Sequence, residues 1–247
     1  MIRLVKILFF VALSTSAWSQ IPAQEEIDYI YRTHWYLGPK LATNGFGLEF
    51  NYERRINENF RQGFHVSINH VKSHKESRKT NPFYEDSKSY IFGKINSLYT
   101  GHLSYGVSKK LFEKKRFSGV AIRFNQQIGL SCVAIKPVYL KIKEPYVQDL
   151  SVKPRDERYD PNIHPEEFIY GRSSEFLGLF DSKLKLGLYI KSGIQFDINR
   201  NKSKISAVEL GFQLEAFLKK IPEFYIGKNK NVFPSLYAVV QFGKNKI

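Results

Sequence analysis

Apolar and polar residues alternate along most of the chain, in segments of roughly ten residues. In residues 45–54 every second position is apolar: Phe46, Leu48, Phe50 and Tyr52. The positions between them are small or polar: Gly47, Glu49, Asn51 and Glu53. Because successive side chains of a β-strand point to opposite faces, this pattern predicts a strand with one apolar and one polar face.

Seven further segments show the same alternation, at residues 35–43, 64–71, 94–107, 120–132, 184–196, 208–214 and 233–242. The connections between them are short at residues 57–60, 109–117 and 199–203, and longer at 72–89, 143–183 and 219–231; only the tight turn at Asn44-Gly45 breaks this order. Outer-membrane barrels have short periplasmic turns and long external loops. The sequence therefore predicts an all-β fold, an eight-stranded antiparallel transmembrane β-barrel with long loops on one side.

The first residues have the pattern of a secretory signal peptide. Arg3 and Lys6 precede an apolar run over residues 7–13, and small residues at Ala17 and Ser19 indicate cleavage before Gln20. We expect a signal peptide at residues 1–19, a periplasmic segment at 20–33 and the barrel at 34–247, located in a bacterial outer membrane. With one cysteine in the chain, no intramolecular disulfide is available to stabilise it.

An eight-stranded barrel is narrow enough for its own side chains to fill it, which predicts a lumen that does not conduct solutes. Charges of both signs fall on the polar faces, and we expect them to form an internal salt-bridge network. Its predicted members are Lys40, Glu49, Glu53, Arg123, Lys185, Lys191, Glu209 and Glu215. On the apolar faces, the aromatic residues suited to the membrane interfaces are Trp35, Tyr52, Phe64, Tyr99, Tyr105, Phe196, Phe212 and Phe242.

The formal net charge is +15, and removing Arg3 and Lys6 with the signal peptide leaves +13. Basic residues are scattered in turns and loops, as at Lys72, Lys75, Arg78 and Lys79, and no nucleic-acid motif accompanies them. We therefore expect outer-membrane lipids and lipopolysaccharide as partners, and no nucleic acid. An unknown envelope protein or ligand at the long loops is a further possible partner, whereas a solvated basic surface is the plain alternative.

Two patterns are candidates for an active site. His102 and Ser104 share one strand face, as a base and a nucleophile require, and the pair resembles the His-x-Ser of outer-membrane lipid A deacylases, although Tyr105 stands where that family has Asn. The acidic loop with Asp156, Glu157, Asp160, His164, Glu166 and Glu167 lacks EF-hand and zinc spacing, so no metal and no cofactor is predicted. The sequence favours a non-enzymatic barrel; the alternatives are a lipid A-modifying hydrolase and a soluble, lipocalin-like ligand-binding barrel.

Several strings outside the strand pattern resemble a family of uncharacterised outer-membrane β-barrel proteins of the Bacteroidota type. They occur at residues 93–97, 136–140, 159–161, 163–164, 169–172 and 241–244. The resemblance covers most of the chain after the signal peptide and implies the barrel fold, but it brings no reaction, substrate or catalytic residue. One departure is that Phe242 is followed by five more residues, whereas barrel-assembly signals place an aromatic residue last.

Overall fold

The computed structural model describes residues 32–73, 75–84, 86–113, 119–143, 153–198, 204–225 and 229–246. The predicted signal peptide and nearly all of the predicted periplasmic segment lie outside these residues. The strands are β1 (Thr33–Ala42), β2 (Gly45–Arg55), β3 (Phe60–Val71), β4 (Arg78–Lys79), β5 (Tyr90–Ile91), β6 (Asn96–Phe112), β7 (Ala121–Pro137), β8 (Tyr139–Ile142), β9 (Arg155–Arg158), β10 (Ile169–Arg172), β11 (Lys183–Asp197), β12 (Lys204–Ile221) and β13 (Lys230–Lys246).

Eight of these strands close into an antiparallel barrel in the order β1-β13-β12-β11-β7-β6-β3-β2. Closure is made by β1, in which Thr33 lies opposite Arg54 of β2 on one side and Lys246 of β13 on the other. No barrel strand is left with an unpaired edge, so the sheet offers no template for further strand addition. The predicted eight-stranded antiparallel barrel is confirmed.

The connections are distributed as the sequence predicted, except for the length of the one after β12. The short connections after β2, β6 and β11 lie at the barrel end where β1 starts and β13 finishes; we call this the short-turn end. The long connections after β3 and β7 lie at the opposite, loop end, together with the connection after β12 and the two-residue turn before Gly45. The connection after β12, at residues 222–229, is as short as the one after β6, at residues 113–120, because β12 and β13 extend further than the alternation predicts. Gly45 has φ +149°, and a Cβ there would lie 2.0 Å from the carbonyl oxygen of His70, so the turn requires glycine.

The strands are longer than the roughly ten residues that the alternation predicts. Five of them, β6, β7, β11, β12 and β13, have 15 to 18 residues. The additional residues lie at both ends of the barrel, and in β7 they belong to the loop end, where the alternation stops in the run Cys132-Val133-Ala134-Ile135. Backbone pairing continues there regardless of which side chains the strand carries.

The wall exposes its apolar side chains and buries its polar ones, which is the reverse of a water-soluble barrel. On β2, Phe46, Leu48 and Phe50 are 42–57% exposed, whereas Glu49 is 1% exposed. On the central part of β7, Ile128 and Leu130 are exposed and Gln127 and Ser131 are buried. Apolar side chains thus cover the outside of the barrel, and polar side chains fill the middle of the lumen.

An apolar plug closes the lumen at the loop end. It consists of the inward-facing residues Val71, Leu98, Val133, Ile135, Phe217 and Ile221, with Phe233 packed against them. These residues separate the polar middle of the lumen from the loops. The alternating pattern missed this layer, although the run of four apolar residues at 132–135 was a sign that both faces of β7 are covered there.

The long connections fold into a structure of their own, the loop-end sheet, with strand order β10-β8-β9. Its core contains Tyr90, Leu140, Ile142, Tyr159 and Ile169. Asn81, from the connection after β3, ties the two loops together by donating to the carbonyl oxygens of Glu166, Glu167 and Ile169. Among the described residues, no helix is long and apolar enough to cross a bilayer.

Candidate functional site

The middle of the lumen holds a cluster of two cations and two anions, the lumen cluster. Lys191 Nζ lies 2.5 Å from Glu49 Oε1 and 3.1 Å from Glu209 Oε1, and Lys40 Nζ lies 3.6 Å from Glu49 Oε2. All four side chains are buried, and each comes from a different strand. The charges of the cluster therefore balance without a bound ion.

Neutral partners complete the coordination of these charges. Glu209 accepts hydrogen bonds from Tyr237 (2.6 Å), Gln241 (2.8 Å) and Asn125 (3.0 Å). The Lys191 ammonium also lies 4.6 Å from the centre of the Tyr237 ring, which is close enough for a cation–π interaction. Buried charges with this many partners hold neighbouring strands in one register.

The structure places the other predicted network members apart from the lumen cluster. Glu53 accepts a hydrogen bond from Tyr36 (2.7 Å), and Arg123 is buried near the start of β7. Glu215 is also buried, accepts a hydrogen bond from Ser131 and lies 3.1 Å from His102 Nε2. Lys185 is half-buried near the loop end and donates to the carbonyl oxygen of Lys220.

His102 and Ser104 are held by different partners. His102 Nδ1 lies 2.8 Å from Ser67 Oγ, its Nε2 lies 3.1 Å from Glu215 Oε2, and its ring stacks on Tyr189. Ser104 instead donates to Gln127 (3.3 Å). The row Glu215–His102–Ser67, which joins three strands, was missed from sequence because its members are far apart in the chain.

The predicted interface aromatics all occupy outward positions, but they do not form two complete rings. Trp35, Tyr52, Phe64 and Tyr105 lie opposite one another on β1, β2, β3 and β6 and make one continuous row. Phe196 is the next-to-last residue of β11 at the short-turn end, and Phe242 lies four residues before the end of β13. Tyr99 lies near the loop end, and Phe212 lies at the ninth of the eighteen positions of β12.

A cavity of about 250 Å³, which we call the rim cavity, lies between the barrel wall and the loop-end structure. Its wall side is formed by Phe46, His70, Ser97 and Lys136, which occupy outward positions on β2, β3, β6 and β7. Five cationic side chains border the cavity: Lys72, Arg78, Lys94, Lys136 and Arg172. Two carboxylates, those of Glu76 and Glu175, face them. The sequence indicated basic loops here but not that they meet β7 at one cavity.

The acidic loop contains a partnered histidine. His164 Nε2 lies 3.2 Å from Glu157 Oε2, while the backbone N–H of Asp160 donates to His164 Nδ1. Asp160 accepts hydrogen bonds from the backbone and side chain of Asn162. In the described parts of the chain, no three His, Cys, Asp or Glu side chains are grouped so that they could hold a metal ion.

Comparison with solved structures finds other small barrels. The chain is similar to Ail, the attachment invasion locus protein of Yersinia pestis, with 10% identity and a TM-score of 0.38. The match covers 86% of this chain and 97% of Ail. One of the Ail structures is a complex with the heparin analogue sucrose octasulfate. It is also similar to Neisserial surface protein A, with 11% identity, a TM-score of 0.37 and coverage of 87% and 96%. At this identity no functional residue carries over from either protein.

No protein-family model and no curated protein sequence matches the chain. The resemblance to barrels of the Bacteroidota type therefore stays a prediction. What the chain can do has to be inferred from the faces of its barrel and the cavities at its ends.

Proposed function

We propose that the protein is an integral barrel of a bacterial outer membrane with a non-enzymatic role, in which the wall is embedded in lipid and the loop-end sheet is displayed outside the cell. The observation that carries this proposal is the exposed apolar exterior of a closed sheet whose charges are buried in its lumen. In hydrocarbon every backbone N–H and C=O must be paired within the protein, and a closed barrel meets that requirement.

The orientation of β2 argues against a lipocalin-like carrier. Such a barrel would turn Phe46, Leu48 and Phe50 inward around an apolar ligand, whereas these side chains are exposed. In water, an apolar surface that continues around the strands would favour aggregation. In a bilayer the same surface is the stable one.

The filled lumen supports a structural or surface-interaction role over transport. The lumen cluster and the apolar plug occupy successive levels of the barrel, and the lumen of an eight-stranded barrel is narrow enough for such side chains to fill it. Contacts with other molecules are then left to the outer wall and the loop end. We infer that lipopolysaccharide and other outer-membrane lipids contact the wall and the basic loops, and that the loop-end sheet is the surface available to an envelope protein or external ligand.

A hydrolase using His102 has less support. Glu215, His102 and Ser67 have the order of a carboxylate, an imidazole and a hydroxyl, but all three are buried in the lumen. A lipid substrate would have to cross the wall or displace the apolar plug to reach Ser67. The row is better explained as a set of buried polar contacts that links β3, β6 and β12.

The proposal is tested by expressing the full chain in a bacterium with an outer membrane and separating the two membranes. We expect the protein in the outer-membrane fraction, resistant to extraction by carbonate or urea, and migrating faster on electrophoresis before heating than after it. Recovery as a soluble periplasmic protein would refute the proposal. A steady ion current through the purified protein in a planar bilayer would refute the closed lumen, and a change in the lipid A mass profile that His102→Ala abolishes would support the hydrolase instead.

A further inference from the structure

The rim cavity lies where the outer wall changes from apolar to polar. Along β3 the outward residues are Phe64, Val66 and Ile68 and then His70; along β7 they are Ile128, Leu130, Cys132 and Ala134 and then Lys136. On a membrane-embedded barrel, such a change marks the depth at which hydrocarbon gives way to lipid headgroups. His70 and Lys136, the first polar residues above the apolar band, are both wall residues of the cavity.

The cavity has more positive than negative charge. With His70 neutral, its five cationic and two anionic side chains leave an excess of three positive charges, since five minus two is three. The Lys94–Glu76 pair is buried, and Lys136 Nζ donates to the carbonyl oxygen of Glu175 and lies 3.9 Å from its carboxylate. These contacts account for both carboxylates.

Three cations remain without such partners. Within the described residues, the side chains of Lys72, Arg78 and Arg172 make no hydrogen bond or ion pair, and all three are exposed at the edge of the cavity. They come from two separate connections of the barrel, the one after β3 and the one after β7. The lumen cluster, by contrast, holds two cations and two anions that pair with one another.

The surroundings of the cavity combine cationic and apolar groups, and such a combination complements an amphipathic anion. Guanidinium groups form paired hydrogen bonds with phosphate oxygens, and lysine adds a point charge. Directly below, Phe46 and Ile68 offer an exposed apolar surface that continues down the wall. A free anion would use only the cations, whereas a lipid would use both surfaces.

We propose that the rim cavity binds the phosphorylated headgroup of an outer-leaflet lipid, with Arg78, Arg172 and Lys72 on the phosphate and the acyl chains along the wall below Phe46. This inference rests on the proposed membrane location and adds to it one defined lipid site. The lipid class expected is a phosphorylated glycolipid such as lipid A, the anionic lipid that faces outward in such membranes. Binding changes no covalent bond.

The test uses the folded full-length protein reconstituted in phosphatidylcholine nanodiscs. Diphosphorylated lipid A is titrated in, and bound lipid is counted by native mass spectrometry. The double variant Arg78→Gln/Arg172→Gln removes two of the unpartnered cations. Because the variant loses two groups that can form charge-assisted hydrogen bonds with the phosphates, we expect its affinity for lipid A to fall at least tenfold. Lys219→Gln/Lys220→Gln is the matched control, since it removes two exposed charges from the loop end of β12, which does not border the cavity; its affinity should stay within about twofold.

Two further ligands separate the possible explanations. The affinity for lipid A that lacks its phosphates should not depend on Arg78 and Arg172. Inorganic phosphate alone should bind far more weakly than lipid A. Equal loss in both double variants would overturn the site in favour of general surface charge, and phosphate binding as tightly as lipid A would overturn the lipid assignment. A protein that enters nanodiscs but shows no preference for phosphorylated lipid contradicts this inference alone, whereas one that fails to enter them contradicts the proposed function.

Discussion

The barrel wall and the loop-end sheet distribute apolar residues in opposite ways. In the wall, Leu48 and Leu130 are exposed and Glu49 and Glu209 are buried; in the loop-end sheet, Leu140 and Ile169 are buried, and the charged strand β9 is largely exposed. The wall therefore exposes apolar side chains and buries charged ones, whereas the loop-end sheet does the reverse. If the wall is embedded in lipid as proposed, the boundary between them, near His70 and Lys136, is the level at which the surroundings change from hydrocarbon to water.

The opposite arrangements also mean that stability has different origins in the two regions. In the wall, apolar burial against the protein is concentrated in the apolar plug, so elsewhere paired charges and closed backbone hydrogen bonding must fix the strands. In the loop-end sheet an ordinary apolar core does this. The following substitutions test whether stability has these different origins in the two regions.

The largest effect is expected in the lumen cluster. Lys191→Met leaves Glu49 and Glu209 buried without their shared cation, and breaking a buried pair in this way costs about 3–5 kcal/mol. The measurement is urea unfolding of the protein in lipid vesicles. Lys185→Met, on the same strand and the same face but half-buried, is the control and should change the free energy of unfolding by much less. Similar losses in both variants would show that the lumen cluster has no special role.

A smaller effect is expected on the outer wall. Leu130→Arg places a charge at the centre of the apolar face of β7, which costs about 2–4 kcal/mol in a bilayer. Gln126→Arg, four residues nearer the short-turn end, should cost about 0–1 kcal/mol. Unfolding both variants in vesicles gives the difference, and equal costs would mean that the two positions share one environment.

Close packing inside the lumen gives a third prediction. A Cβ on Gly193 would lie 2.1 Å from the Tyr237 hydroxyl, which donates to Glu209. We expect Gly193→Ala to displace Tyr237 and to destabilise the barrel by about 1–3 kcal/mol, the usual cost of overpacking. In the background Tyr237→Phe the added cost should fall, because the hydroxyl that would collide with the new methyl group is gone. If Gly193→Ala costs as much in the Tyr237→Phe background as it does alone, the collision with the Tyr237 hydroxyl is not the cause of the destabilisation.

The smallest effect concerns pH at the loop-end sheet. Burial, with Glu166 nearby, raises the pKa of the Tyr90 phenol to about 12. Because the folded form then keeps its proton to higher pH than the unfolded form, the loop-end sheet should lose stability as pH rises from about 10 to about 12. Titration of ¹³C-labelled tyrosine rings by NMR, with Tyr90→Phe to assign the signal, measures this. Ionisation of Tyr90 near pH 10 would contradict the burial.

The barrel could be predicted from sequence because period-two alternation and connection length are local signals. The segment at residues 45–54 gave β2 and its two faces, and the charged residues at inward positions, such as Glu49 and Lys191, were found from the same alternation. The apolar plug, the row from Glu215 to Ser67 and the rim cavity could not be found in this way. Each joins residues more than thirty positions apart, and their contacts depend on strand register and on how the loops fold over the wall.

The loop residues were harder still. Arg78 and Arg172 are 94 positions apart, as the numbering shows, and nothing in their neighbouring residues indicates that they border one cavity. Only the pairing of the two connections, through Asn81 and the bridge between Lys88 and Gly171, places them together.

The most direct test of the account is the environment of the outer wall. Nitroxide labels are placed singly at Leu48→Cys, Leu130→Cys and Glu167→Cys in a Cys132→Ser background, in vesicles, and their collisions with oxygen and with a water-soluble nickel chelate are measured. The account predicts frequent oxygen collisions and few nickel collisions at positions 48 and 130, and the reverse at position 167 in the loop-end structure. Nickel reaching positions 48 and 130 as freely as position 167 would contradict it.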